Sequence, residues 1–372
     1  MPVAGRDCCV VYPTSSFLIH MKDRLLKLAL LLATLFFIFF LDRVLLAKLG
    51  LPLWTADPVL HYKHRPGVTD NWGKRYDYKP IRINRYGHYD DDFPEKKAEG
   101  ELRGLLIGDS IVMGHGVTAD ETFANQLERM LPESVPGYTT YQVINAGVQG
   151  YSTFQYLEVL KRSLKFSPDF IAVGFCMNDL TEPYIVNKSF GGSGLDYHGI
   201  LQSSHSWVAY VANETGFGRL AIAMQKRIQR NWPSREELVR EEIYNVRRMA
   251  ERSRTDPVFI KAWNQALSDL SMIYQLSRSS HIPVVLIIFP HTFQLRHEEL
   301  QEPQRILKKH ADQHGVGYID MTGIVENRMA DGVALDDIFL DEDHYTVKGH
   351  NVVAKALLQY LKANDRVRPF LP

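Results

Sequence analysis

Five short apolar runs, each closed by Gly, Pro, Asn or Asp and separated from the next by a helical pattern, constrain this chain more than any other feature. They are Leu102 to Ile107, Tyr141 to Asn145, Phe170 to Phe175, Pro283 to Phe289 and Val316 to Asp320. A run that is apolar throughout, rather than at every second position, belongs to a strand buried on both faces, as in parallel sheets. Helical patterns fall near Thr122 to Met130, Thr153 to Lys165, Phe259 to Ser279, Pro303 to His314 and Val347 to Leu361. Such alternation requires right-handed crossovers, so the expected class is α/β, a three-layer α/β/α sandwich with a mainly parallel five-stranded sheet. A 372-residue chain with 45% hydrophobic content can build such a core. Ligands in this architecture bind at the carboxyl ends of the strands.

Ahead of this pattern lies an apolar stretch from Leu25 to Ala47, whose central Leu28 to Leu41 run carries no charge. That core alone is short for a span of about 20 residues, but Lys27, Asp42 and Arg43 sit at its edges and basic side chains snorkel. A signal peptide needs small residues before its cleavage site, and Leu45-Leu46-Ala47 has Leu where one belongs. A buried core helix rarely presents Leu, Ile and Phe on every face. The expectation is an uncleaved anchor at 25–47 after a tail at 1–24, with signal peptide and soluble helix as alternatives. Lys22, Arg24 and Lys27 before the span slightly outweigh Arg43 and Lys48 after it, which tilts the topology toward tail inside and large domain outside. Met21-Lys22-Asp23-Arg24 also reads as a natural start, which would make Cys8 and Cys9 part of an upstream extension. After the anchor only Cys176 remains, so no internal disulfide is expected there.

Residues 48–100, rich in Pro, Tyr, Asp and His without a periodic run, read as a linker that becomes an irregular arm. Residues 180–255 interrupt the alternation and read as an insertion, with a Gly191-Gly192-Ser193-Gly194 stretch, an apolar stretch at Trp207 to Tyr210 and a charged helix from Ser234 to Arg252. At the ligand edge it would be a lid, a substrate wall or a solvated helical excursion, and runs such as Arg235-Glu236-Glu237 are usually an exposed helix face. Lys plus Arg and Asp plus Glu are 43 each, which gives no electrostatic reason for a nucleic acid partner. Trp72, Trp207 and Trp232 suit sugar stacking and plain packing alike.

Three polar turns open on the ligand edge: Gly108 to Ser110 after the first strand, Asn145 to Gly150 after the second and Gly174 to Asp179 after the third. Asp341 to His344, in the loop entering the last helix, reaches the same edge. A serine hydroxyl becomes a nucleophile when a base takes its proton and a carboxylate orients that base. Ser110, His344 and Asp341 can fill those roles. Each also has an ordinary explanation: Gly-Asp-Ser is a common loop tripeptide, Asn178 suits a turn or cap, and His344 could cap a helix. Asp343 rivals Asp341, and Asp109 is expected to brace the turn. His115, His291 and His350 lack Cys or carboxylate partners at ligand spacing in the sequence, and Gly108 to Gly114 lacks P-loop or dinucleotide chemistry. No metal or organic cofactor is expected.

Taken together, Ile107-Gly108-Asp109-Ser110-Ile111-Val112-Met113-Gly114, Asn145-Ala146-Gly147-Val148-Gln149-Gly150, Gly174-Phe175-Cys176-Met177-Asn178-Asp179 and Asp341-Glu342-Asp343-His344 resemble, in order, the blocks of the SGNH hydrolases, the GDSL-like lipase and esterase superfamily. The resemblance implies a flavodoxin-like SGNH domain over 101–365. It implies Ser110 as nucleophile, His344 as base then acid, Asp341 as its orienting group, and an oxyanion hole made by the N–H groups of Ser110 and Gly150 with the amide of Asn178. It also implies an ester-bearing substrate, with acylated carbohydrate as one class. The same residues would serve an O-acetyltransferase of an envelope or exported polysaccharide, and a non-catalytic carbohydrate-binding or assembly protein could keep the fold.

Overall fold

A computed structural model describes residues 15–49, 53–70, 81–180, 206–228 and 235–363. The Gly191–Gly194 stretch, Trp72, Trp232, Cys8 and Cys9 lie outside the described residues. The chain divides into two compact units, one of residues 1–51 with 210–228 and one of 52–209 with 229–372.

The first unit is built on helix α1, Ser15–Leu49. Its His20–Leu49 portion is long and apolar enough to cross a membrane, with Leu and Phe side chains exposed around the whole helix. The helix is longer than the 25–47 expected, running from Ser15 before the apolar run to Leu49 after it. Near its end Asp42 is buried and its Oδ1 accepts the N–H of Phe217 at 3.0 Å, capping a helix at Gly216–Ile228.

The second unit begins with two hairpins that the irregular composition of the arm concealed. They pair β1 (Trp54–Asp57) with β2 (His61–His64) and β3 (Thr69–Asp70) with β4 (Ile81–Arg82), both antiparallel. Then come β5 (Glu101–Ile107), α2 (Ser110–Met113), α3 (Phe123–Ser134), β6 (Thr140–Asn145), α4 (Thr153–Ser163) and β7 (Phe170–Phe175). The expected insertion supplies α5 (Ser206–Glu214), the Gly216–Ile228 helix, which is α6, and α7 (Arg235–Arg252). The alternation resumes with α8 (Pro257–Ser279), β8 (Val284–Ile288), α9 (Glu302–His314) and β9 (Gly317–Asp320). The last helices are α10 (Met321–Ala330), α11 (Leu335–Ile338) and α12 (Val347–Ala363).

The five expected runs form one parallel sheet in the order β6-β5-β7-β8-β9. Its strands alternate between two cores. Leu105, Ile107, Ile171, Val173, Leu286 and Ile288 join the core under α4 and α8, whereas Leu102, Leu106, Ala172, Val285 and Ile287 join the core under α3 and α12. Both faces are covered, which is why the runs are apolar at every position. The chain steps from β5 to β6 on one side and returns to β7 on the other, so β5 and β7 flank the switch point where this topology opens a ligand crevice.

The arm closes the first core with Leu53, Leu60, Tyr62, Ile83, Tyr89 and Phe93. It is fixed by polar bonds as well. Arg103, fully buried on β5, pairs with Glu101 at 2.6 Å and donates to the carbonyls of Glu95, Phe166 and Pro94 at 3.0, 3.0 and 3.1 Å. Arg162 grips Asp57 through two bonds of 2.7 and 3.0 Å.

Candidate active site

Ser110 is the first residue of α2, directly after the β5 turn. The helix starts there because the Asp109 carboxylate accepts the N–H of Ile111 at 2.9 Å, and it stops after one turn at Gly114, whose φ of +92° suits glycine. Asp109 therefore braces the turn. Burial pushes its carboxyl up to about 6, against the opposing bond from Ile111 and the charge of His344. The N–H of Ser110, at the helix start, has no acceptor inside the helix.

His344 lies between α11 and α12, in a loop held by the Phe339–Tyr345 bridge and by the Leu340 N–H on the His344 carbonyl at 2.8 Å. The Thr292 N–H donates to the Glu342 carbonyl at 2.8 Å and ties the loop to the end of β8. This brings His344 Nε2 to 2.9 Å from Ser110 Oγ. Both carboxylate oxygens of Asp341 lie 2.9 Å from Nδ1 of the same ring. Asp341 also accepts the N–H groups of His344 and Asp343, at 2.9 and 3.2 Å, so its carboxylate cannot swing away freely.

Asp343 is a close second neighbour, with Oδ1 3.2 Å from Nδ1. The two acids differ in environment. Burial pushes the Asp343 carboxyl well up, with the charge of His344 opposing that rise. Asp341 is more open, and although burial works against its charge, His344 and three hydrogen bonds hold it well below the usual carboxylate range. Burial would lower His344, but the Asp343 and Asp341 carboxyls outweigh it and raise the imidazole. The ring of His115 covers one flank of His344, with centroids 4.5 Å apart.

Gly150 and Asn178 follow β6 and β7 as expected. Gly150 adopts φ +71°, a conformation that strains side chains with a Cβ. The peptide before it is held from the arm, where Tyr62 Oη donates to the Gln149 carbonyl at 2.9 Å. Because the peptide is planar and trans, fixing that carbonyl also fixes the Gly150 N–H on the opposite side. Asn178 Nδ2 donates to Oε1 of Glu242, on α7, at 3.0 Å.

Sequence reasoning did not find Tyr62 or Glu242. Tyr62 carries no motif, and Glu242 sits in an Arg240-Glu241-Glu242 charge run that reads as an exposed face. The expectation that His291 lacks partners is corrected: folding brings Cys176 Sγ to 3.9 Å from its Nδ1 and Asp343 Oδ2 to 3.9 Å from its Nε2. These residue types can ligate a metal. Burial pushes the Cys176 thiol and the Asp343 carboxyl up, which opposes the deprotonation that ligation requires. His350 is structural, with Nδ1 accepting the Phe123 N–H at 3.2 Å.

The model of the GDSL-like Lipase/Acylhydrolase family matches residues 106–352, and the chain belongs to that family of ester-hydrolysing enzymes. Among solved structures, a catalytic mutant of Axe2, an acetylxylan esterase from Geobacillus stearothermophilus, is similar at 13% identity and TM-score 0.41, over 72% of this chain and 96% of that one. TesA is similar at 14% identity and TM-score 0.41, over 70% and 98%. The lipase/acylhydrolase from Enterococcus faecalis is similar at 15% identity and TM-score 0.39, over 70% and 95%. No curated protein matches the chain.

Proposed function

We propose that this enzyme is a serine esterase that cleaves a small acyl or acetyl ester through an acyl-enzyme. The observation that carries this reading is the continuous hydrogen-bonded chain from Ser110 Oγ through His344 to Asp341. His344 Nε2 takes the serine proton as Oγ attacks the carbonyl carbon, and Asp341 holds the proton on Nδ1 and stabilises the imidazolium. The N–H groups of Ser110 and Gly150 and the Asn178 amide receive the oxyanion, each such donor contributing roughly 100-fold to 1000-fold in rate. His344 then protonates the departing alcohol, and water activated by the same ring releases the acid. We further infer that α1 anchors the protein in a membrane with the hydrolase domain on the extracytoplasmic side, and that the esterified alcohol is a carbohydrate.

The test is p-nitrophenyl acetate hydrolysis by the full chain in detergent micelles, beside Ser110→Ala and His344→Ala. Each variant is expected to lose about four orders of magnitude or more in kcat. A Ser110→Ala variant that matches the parent rejects the serine mechanism. Adding xylobiose sharpens the result: acetate as the sole product supports hydrolysis, whereas acetylated sugar formed in its place makes the enzyme an acetyltransferase.

A further inference from the structure

We propose that Glu242, contributed by the inserted helix α7, is a positioning residue that sets the Asn178 side-chain amide in the orientation an oxyanion needs. This rests on the reading of Asn178 as an oxyanion donor. A primary amide is nearly symmetrical in shape, and turned by half a revolution it presents an oxygen where the nitrogen should be. In the flipped orientation Asn178 would direct a lone pair at the developing negative charge and oppose the transition state. The amide therefore needs a neighbour that discriminates its two ends. Glu242 Oε1 lies 3.0 Å from Nδ2 of Asn178. In its ionised form this carboxylate accepts hydrogen bonds and donates none, so it tolerates the nitrogen and repels the oxygen; burial pushes Glu242 up, while the charge of His344 and the Asn178 bond itself oppose that rise. The nitrogen carries two hydrogens, so one can be held by Glu242 while the other serves the oxyanion.

The placement is specific. Asn178 follows β7 and Glu242 stands 64 residues further along, inside the segment that interrupts the α/β alternation. Around it α7 is anchored by buried Val246, Met249 and Ala250, and Arg248 pairs with Asp256 at 3.0 Å. The helix that carries Glu242 is therefore packed rather than solvated on all sides, and the insertion supports the site instead of merely bordering it.

A double-mutant cycle on p-nitrophenyl acetate hydrolysis by the full chain tests this, with kcat and KM measured for the parent, Glu242→Ala, Asn178→Ala and the double variant. Glu242→Ala is expected to lower kcat about tenfold with KM within twofold. Glu242→Gln, whose amide accepts both orientations, should fall between it and the parent. In the Asn178→Ala background Glu242→Ala should have no further effect, because a residue acting through a partner is non-additive with its removal. Additive losses would show that Glu242 acts independently of Asn178 and overturn the proposal. A gain in kcat on removing Glu242 would also overturn it, since the carboxylate would then be blocking the hole. If Asn178→Ala alone leaves kcat intact, the oxyanion reading fails first, an outcome separate from any result at Glu242.

Discussion

The carboxyl edge of the sheet and the N-terminal arm are both well buried, yet they are held by different means. At the edge, short turns leave strands whose apolar runs fix their register, and Ser110, Gly150 and Asn178 follow from β5, β6 and β7 by local geometry alone. Among its described residues the arm has little regular structure beyond the two hairpins. It is secured by polar side chains that reach across long sequence distances, such as Arg162 to Asp57, Tyr62 to the Gln149 carbonyl, and Asp90 to the Asn145 N–H at 3.1 Å. In the proposed mechanism the edge presents the chemistry, and the arm holds the peptides from which it is presented. If this division holds, substitutions at the edge will change chemistry with little loss of stability, and substitutions in the arm will divide into those that unfold and those that only misalign.

The largest effect is expected at Asp341. Asp341→Asn keeps the shape but removes the charge that orients and stabilises His344, and should lower kcat by about a thousandfold or more. The proposed mechanism requires neutral His344, so activity is expected to be lost as pH falls through the imidazole value, which here lies above its ordinary position. Removing the Asp341 charge should move that acid limb down by about one to three pH units. Asp343→Asn is the control. Burial disfavours the charged form of Asp343 more than that of Asp341, so the limb should move less than in Asp341→Asn. A larger downward shift in Asp343→Asn than in Asp341→Asn would exchange the roles of the two acids.

In the arm, Arg103→Ala should test stability rather than chemistry. It removes a guanidinium with no exposed surface, leaving Glu101 and three backbone carbonyls without their donor. Breaking a buried ion pair from one side costs about 3–5 kcal/mol. Urea unfolding should show that loss, while the folded fraction retains parental KM. An unchanged unfolding midpoint would mean that the arm is not fastened through Arg103.

The same contrast explains what the sequence disclosed. The sheet was legible because burial on both faces demands uninterrupted apolar runs, and the meeting of the candidate residues Ser110, Asp341 and His344 was legible because their motifs lie at strand ends or a helix entry. The hairpins of the arm were not, because strands of two to four residues are too short to show a period. Glu242 was hidden by a charge run whose usual meaning is solvent exposure, and Tyr62 because one hydroxyl on a remote carbonyl leaves no local pattern. The Cys176, His291 and Asp343 cluster draws from three separate segments, brought together by the pairing of β7 with β8 and by the Thr292 N–H on the Glu342 carbonyl.

Tyr62 gives the smallest effect and the sharpest test of the division between edge and arm. Its hydroxyl fixes the carbonyl of the Gln149–Gly150 peptide, so Tyr62→Phe should let that peptide rock and weaken the Gly150 N–H as an oxyanion donor. A buried neutral hydrogen bond contributes about 0.5–1.5 kcal/mol, which corresponds to a fall in kcat of about two- to tenfold with KM nearly constant. Tyr151 supplies the comparison within the same contact, because its Oη donates to the Tyr62 carbonyl at 2.6 Å and fastens the arm without touching the Gln149 peptide carbonyl. Tyr151→Phe should therefore lower the unfolding midpoint by a similar amount and spare kcat. Equal losses of kcat in the two variants would mean that Tyr62 serves only to dock the arm, and that the Gly150 peptide is held by its own turn.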